Sequence, residues 1–200
     1  MTRVKFCGLT KKEDIEAINR ICPDYGGFVF AKKSRRYTDE DTAAKLKALL
    51  SENIRAVGVF VDEDPQRIAD LCRKKVIDMI QLHGSENEEY IAELRRLTKA
   101  PIIKAFLVSS EEDIKRAEKS SADHILLDAG KGDGLTFDWN LLTGIKRPYF
   151  LAGGLDPDNV GAAVNKLHPF AVDVSSGIET DGCKDAGKMR AFMHALGNKI

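Results

Sequence analysis

Short apolar runs alternate along the whole chain with longer stretches in which apolar positions recur every three to four residues. The runs Arg3–Cys7, Gly27–Phe30, Arg55–Val61, Val76–Leu82, Ile102–Phe106, His124–Asp128, Tyr149–Ala152 and Phe170–Ser175 have the length and composition of buried strands. Between them the spacing predicts helices over Lys11–Ile21, with Ile15, Ile18 and Ile21 on one face, and over Glu40–Leu50, with Ala43, Leu46, Leu49 and Leu50 inward. Further helices are predicted over Pro65–Cys72, Asn87–Leu97, Glu111–Glu118, Pro157–Leu167 and Asp185–Leu196. Thr10 with Glu13 and Ser85 with Glu88 read as capping boxes, and Asp156-Pro157 places proline at a first helical position.

Eight β/α units in a row predict an α/β fold, a single (β/α)8 barrel domain over residues 1–200. The length lies at the lower limit for that fold, so loops and helices must be short. An open doubly wound sheet competes, but it needs fewer strands and often a glycine-rich first turn. Cys7-Gly8-Leu9-Thr10 has one glycine and no G-x-G-x-x-G. No linker or change of composition marks a second domain.

Period-two alternation then sorts the strand residues between the helical layer and the barrel interior. Val4 and Phe6 are predicted to face the helices, and Lys5 and Cys7 the interior. In the last strand Val172 and Val174 face out, and Asp173 and Ser175 face in. Closure makes the first and last strands neighbours, so a Lys5–Asp173 contact is expected, because a buried charge needs a partner. The same alternation turns Gln81, Lys104 and Asp128 inward.

Composition removes several classes of function. Lys+Arg and Asp+Glu both number 31, so no basic excess points to nucleic acid. The longest apolar stretch, Ala56–Val61, is far too short to cross a bilayer, and the N-terminus is polar by Thr10–Asp14. A cytoplasmic protein with neither nucleic-acid nor membrane partners is expected. Cys7, Cys22, Cys72 and Cys183 form no C-x-x-C or Cys/His cluster, so no metal site is expected. Cys22, Cys72 and Cys183 read as reduced, partly buried thiols.

Cys7 differs from the other three, because it ends the first strand just before a glycine. Asp128 likewise ends the sixth strand before Ala129-Gly130, so a thiol and a carboxylate open onto one rim as a possible base and acid. Gly153-Gly154 after the seventh strand and Ser175-Ser176-Gly177 after the eighth stand where this fold commonly holds phosphate; Gly153-Gly154 alone also fits a tight turn. Lys32, Lys33, Arg35 and Arg36 after the second strand fit either a solvated face or one arginine reaching back for a carboxylate. His83, after the fourth strand, suits a structural hydrogen bond or a substrate contact equally. Gly130–Thr136 has the flexibility of a loop that folds over the site.

Taken in order, these segments resemble the phosphoribosylanthranilate isomerase family of tryptophan biosynthesis. The matching segments are Lys5-x-Cys7-Gly8-Leu9-Thr10, Gly27–Phe30 with Lys33-Ser34-x-Arg36-Tyr37, Val57–Phe60, Gln81-Leu82-His83-Gly84, Leu127-Asp128, Thr136–Trp139, Leu151–Leu155 and Asp173–Glu179. The resemblance implies an Amadori rearrangement of N-(5-phosphoribosyl)anthranilate to 1-(2-carboxyphenylamino)-1-deoxyribulose 5-phosphate, with no cofactor or metal, by a monomer or homodimer. It implies Asp128 as general acid, Cys7 as general base and Arg36 as ligand of the anthranilate carboxylate. Phosphate then falls to Gly153, Gly154, Ser175, Ser176 and Gly177. Cys7 would need positive charge nearby, for which Lys5 is the candidate, and Asp128 would need burial or a nearby negative charge to stay protonated. The chain departs from the family pattern at Gly132-Asp133-Gly134, where many relatives have Gly-Thr-Gly, and at Tyr25-Gly26-Gly27. The competing readings are another sugar-phosphate barrel and a non-catalytic scaffold that keeps only phosphate binding. An epimerase would want metal-ligating His and Asp residues, and the related histidine-pathway isomerase an Asp ending the first strand.

Overall fold

The computed structural model describes residues 1–128 and 139–197. Eight parallel strands close into a barrel in sequence order. They are β1 (Arg3–Cys7), β2 (Tyr25–Val29), β3 (Arg55–Phe60), β4 (Met79–Leu82), β5 (Ile102–Leu107), β6 (His124–Asp128), β7 (Tyr149–Ala152) and β8 (Ala171–Val174). The helices α1 (Lys12–Ile21), α2 (Glu40–Leu49), α3 (Pro65–Arg73), α4 (Glu88–Leu97), α5 (Glu111–Lys119) and α6 (Val160–Leu167) lie between strands. After β8 come a two-stranded antiparallel hairpin, β9 (Glu179–Thr180) and β10 (Cys183–Lys184), and then α7 (Ala186–Ala195).

Closure is sealed by β1 against β8, with Lys5 in register with Asp173. The expected contact is present: Lys5 Nζ donates to Asp173 Oδ1 at 2.9 Å and to Oδ2 at 3.0 Å. Val4, Phe6, Val172 and Val174 pack in the outer core with the helices, as the alternation predicts. The interior layer holds Tyr25, Val57, Met79, Ile103, Ala105, Leu126 and Phe150. Above it, toward the strand C-termini, Cys7, Val29 and Val59 form a separate small cluster.

Lys104 corrects the inward assignment. Ile103 and Ala105 fill the interior, while Ile102 and Phe106 join the outer core, so Lys104 shares the outer face. Its ammonium is satisfied there by Gly84 O at 2.7 Å and Glu86 Oε2 at 2.9 Å. A strand buried on both faces offers no polar alternation from which to read direction.

Helix starts also differ from the sequence reading. Asp14, not Glu13, closes the α1 entry by accepting from the N–H groups of Thr10 and Lys11. Asn87 caps α4 by accepting from Tyr90 N, in place of Ser85. Regular helix α6 begins at Val160 rather than at Pro157, because Asp156 Oδ1 accepts from the N–H groups of Asp158 and Asn159 and holds a turn. Cys22 and Cys183 are exposed rather than partly buried. The glycine-rich segment Gly130–Thr136 lies outside the described residues.

Candidate active site

One cavity of about 390 Å³ opens at the C-terminal mouth of the barrel. Cys7, Arg36, His83, Asp128, Gly153, Gly154, Ser175 and Ser176 all line it. Gly177 stands behind this lining. A Cβ there would lie 1.9 Å from Leu155 O, so only glycine lets the loop after β8 pack directly on the loop after β7.

Cys7 ends β1 and is almost fully buried. Burial pushes its thiol up and the Asp173 carboxylate adds to that, while Lys5 and Lys184 pull it down; the balance lies above the ordinary value. Lys5, the expected source of positive charge, does pull the thiol down, but burial outweighs it. Lys5 is committed to Asp173, whose negative charge reaches Cys7 as well. Burial by itself would lower the Lys5 ammonium, but the charges of Asp173 and Cys7 overrule it and raise it.

Gly8 follows with φ of +79°, and a Cβ there would lie 2.3 Å from Arg36 Cδ and 3.2 Å from Ser175 Oγ. The missing side chain lets the Arg36 stem cross directly over the end of β1. Its guanidinium is gripped from the far side by Glu179. Nε donates to Oε1 at 2.6 Å and Nη2 to Oε2 at 2.9 Å. Arg35 Nη2 donates to the same Oε2 at 2.8 Å, and Lys184 Nζ to Oε1 at 2.7 Å. Burial would raise the Glu179 carboxyl, yet the hydrogen bonds and charges of Arg36 and Lys184 hold it down at about 2.

Across the mouth, Asp128 ends β6 with His83 Nε2 at 3.4 Å from its Oδ2. Gln81, inward on β4 and buried, meets His83 Nδ1 through its Nε2 at 2.9 Å. His83 thus has a side-chain partner in Gln81 and lines the cavity. Ser175 Oγ donates to Cys7 O at 3.0 Å, tying the loop after β8 to the end of β1. Val29, Ala31, Val59 and Val61 make an apolar wall on the Arg36 side.

Sequence reasoning left Lys184 unmentioned and Glu179 without a role. Glu179 did fall inside the segment Asp173–Glu179, which was a usable signal. Nothing local marked Lys184, whose place depends on the hairpin bringing it back over β8. Among the described residues no group of three or more His, Cys, Asp or Glu could hold a metal ion. Among them, too, no helix is long and apolar enough to cross a membrane.

Comparison with known proteins agrees with this geometry. The family model of N-(5'-phosphoribosyl)anthranilate (PRA) isomerase matches residues 4–195. The N-(5'-phosphoribosyl)anthranilate isomerase of Endomicrobium trichonymphae is 44% identical over 194 residues, covering 94% of this chain and 95% of its own. The crystal structure of the phosphoribosyl anthranilate isomerase of Thermotoga maritima superposes with a TM-score of 0.92 at 38% identity, covering 99% of this chain and 100% of its own. A phosphoribosyl anthranilate isomerase in complex with reduced 1-(o-carboxyphenylamino)-1-deoxyribulose 5-phosphate gives 0.88 at 38% identity, with the same coverage.

Proposed function

The chain belongs to the N-(5'-phosphoribosyl)anthranilate isomerase family, and on that premise we propose that it isomerises its substrate between Asp128 and Cys7. The reaction converts N-(5-phosphoribosyl)anthranilate to 1-(2-carboxyphenylamino)-1-deoxyribulose 5-phosphate, a step of tryptophan biosynthesis. The observation that carries the residue assignment is the shared cavity: thiol, carboxyl, arginine and both phosphate-type loops line one space of about 390 Å³.

The Asp128 carboxyl gives its proton to the ribose ring oxygen as the C1–O bond breaks, leaving a protonated Schiff base between C1 and the anthranilate nitrogen. The Cys7 thiolate then takes the proton from C2. The electron pair of that C–H bond forms the C1–C2 double bond while the C=N pair returns to nitrogen, and the resulting enolamine tautomerises to the ketone. C1 is reduced as C2 is oxidised within one molecule, so the electrons balance without a redox cofactor. Arg36 binds the anthranilate carboxylate through the Nη1/Nη2 end of its guanidinium, the Nε/Nη2 edge being held by Glu179, with the aromatic ring against Val29, Ala31, Val59 and Val61. The phosphate sits between the loops after β7 and β8, on Gly153, Gly154, Ser175, Ser176 and Gly177. His83 orients the acid, and Gln81 orients His83.

The test follows the loss of anthranilate fluorescence after adding enzyme to freshly made substrate. Cys7→Ser and Asp128→Asn are each expected to lower turnover at least ~100-fold, the usual scale of acid–base catalysis. Turnover close to that of the unmodified enzyme in either variant overturns that residue's role.

A further inference from the structure

The β9–β10 hairpin lies outside the eightfold strand repeat, and it places two buried charges beside the end of β1. One is Lys184, whose side chain is only 3% exposed. Its Nζ donates to Ser175 O at 2.9 Å, Ser175 Oγ at 3.2 Å and Glu179 Oε1 at 2.7 Å. Ser175 Oγ in turn donates to Cys7 O at 3.0 Å, so a single hydroxyl separates the ammonium from the main chain of Cys7. A charge held this close in a poorly hydrated site acts far more strongly than one in water.

The charges around Cys7 come from several elements: Lys5 on β1, Asp173 on β8, Arg36 after β2, Glu179 on β9 and Lys184 on β10, with His83 and Asp128 across the mouth. Lys5 is paired with Asp173, whose charge opposes that of Lys5 at Cys7. Glu179 is shared among Arg35, Arg36 and Lys184, so three cations face one carboxylate and a positive excess remains. That excess stands at the end of β1, where Ser175 links Lys184 to the main chain of Cys7.

We propose that Lys184 is a positioning residue for this reaction: anchored by Ser175 and Glu179, its ammonium adds to that of Lys5 a second positive charge that stabilises the Cys7 thiolate. The proposal rests on the reading of Cys7 as base, yet it can fail by itself. Lys184 lies among the influences that draw the Cys7 thiol down against burial.

The experiment measures the rate of Cys7 alkylation by iodoacetamide against pH, resolved by peptide mass spectrometry because Cys22, Cys72 and Cys183 also carry free thiols. Lys184→Met is expected to slow Cys7 alkylation at pH 7.5 roughly 10-fold and to move its titration up by about one pH unit. Lys184→Arg is expected to restore the rate to within ~3-fold. Glu179→Gln, which frees the cations from their carboxylate, is expected to move the titration the opposite way. A Lys184→Met variant that folds by circular dichroism and keeps the wild-type alkylation profile overturns the proposal. Should Lys184→Met not fold, an unchanged profile in Glu179→Gln overturns it. Alkylation is read without turnover, so the proposal survives or fails separately from the Cys7→Ser test of the base.

Discussion

The two sides of the barrel mouth are built on opposite electrostatic plans. The side formed by β8, β1, β2 and the hairpin carries four cations, Lys5, Arg35, Arg36 and Lys184, against two carboxylates, Asp173 and Glu179. The side formed by β4 and β6 places Asp128 beside a histidine, itself hydrogen-bonded to a neutral amide. The difference fits the roles proposed for the two groups. A base that works as thiolate gains from nearby positive charge, whereas an acid that must hold its proton would lose it to the same charge. Three steps around the barrel, β6 to β7 to β8 to β1, keep the two environments apart while one cavity serves both.

The largest effect is expected where the cationic side loses its internal balance. Asp173→Asn leaves the fully buried Lys5 ammonium without its counter-charge and should cost about 3–5 kcal/mol, read as a lower urea midpoint at unchanged m-value. A stability equal to the parent's would mean that the closure pair is not what holds β1 to β8.

Next comes acid sensitivity. Glu179 is held at about 2 against an ordinary 4.5, a depressed carboxyl whose stabilisation is complete above pH 4.5 and fades as pH falls toward 2. The contribution is on the order of 2–3 kcal/mol. Unfolding free energy measured from pH 5 to pH 2 should fall more gently for Glu179→Gln than for the parent; parallel curves would contradict the cationic grip on this carboxylate.

Substrate recognition on the same side should respond to geometry as well as charge. Arg36→Lys keeps the positive charge but loses the fork, and KM is expected to rise roughly 30-fold with a smaller change in kcat, about 2 kcal/mol of binding. A reversed split, with kcat falling and KM unchanged, would move Arg36 from holding the carboxylate to serving the chemistry.

The smallest effect belongs to the opposite side. Asn87→Ala removes the side-chain cap of α4 and should lower stability by about 1 kcal/mol, with both kinetic constants unaltered. A change in kcat there would show that the α4 entry helps to set the His83–Asp128 geometry.

Particular residues show why some of this was readable from the chain and some was not. The Lys5–Asp173 pair was legible, because a charge on an otherwise apolar strand must find a partner and closure leaves one choice. Cys7 and Asp128 were legible as strand-ending residues, since parallel strands bring all their C-termini to one rim. Lys104 was misread because Ile102 to Phe106 is apolar on both faces, which removes the alternation that tells inside from outside. The α6 start was misread because Asp156 uses its side chain for a turn that competes with the helix. The glycines after β7 and β8 were legible as loop residues, yet which backbone approaches Gly177 depended on the packing of two loops.

Taken alone, the order of apolar runs and the residues that end them determined the number of strands, the closed barrel and the rim where thiol and carboxyl meet. These are local or nearest-neighbour properties, written in periodicity and in the few ways parallel units can close. The tertiary structure alone decided the electrical state of the site: that Lys5 acts on Asp173 and Cys7 together, that burial outweighs it at Cys7, and that a hairpin returns Lys184 and Glu179 to the end of β1. Charge acts through space and burial, and neither distance nor dielectric surroundings can be read from sequence separation.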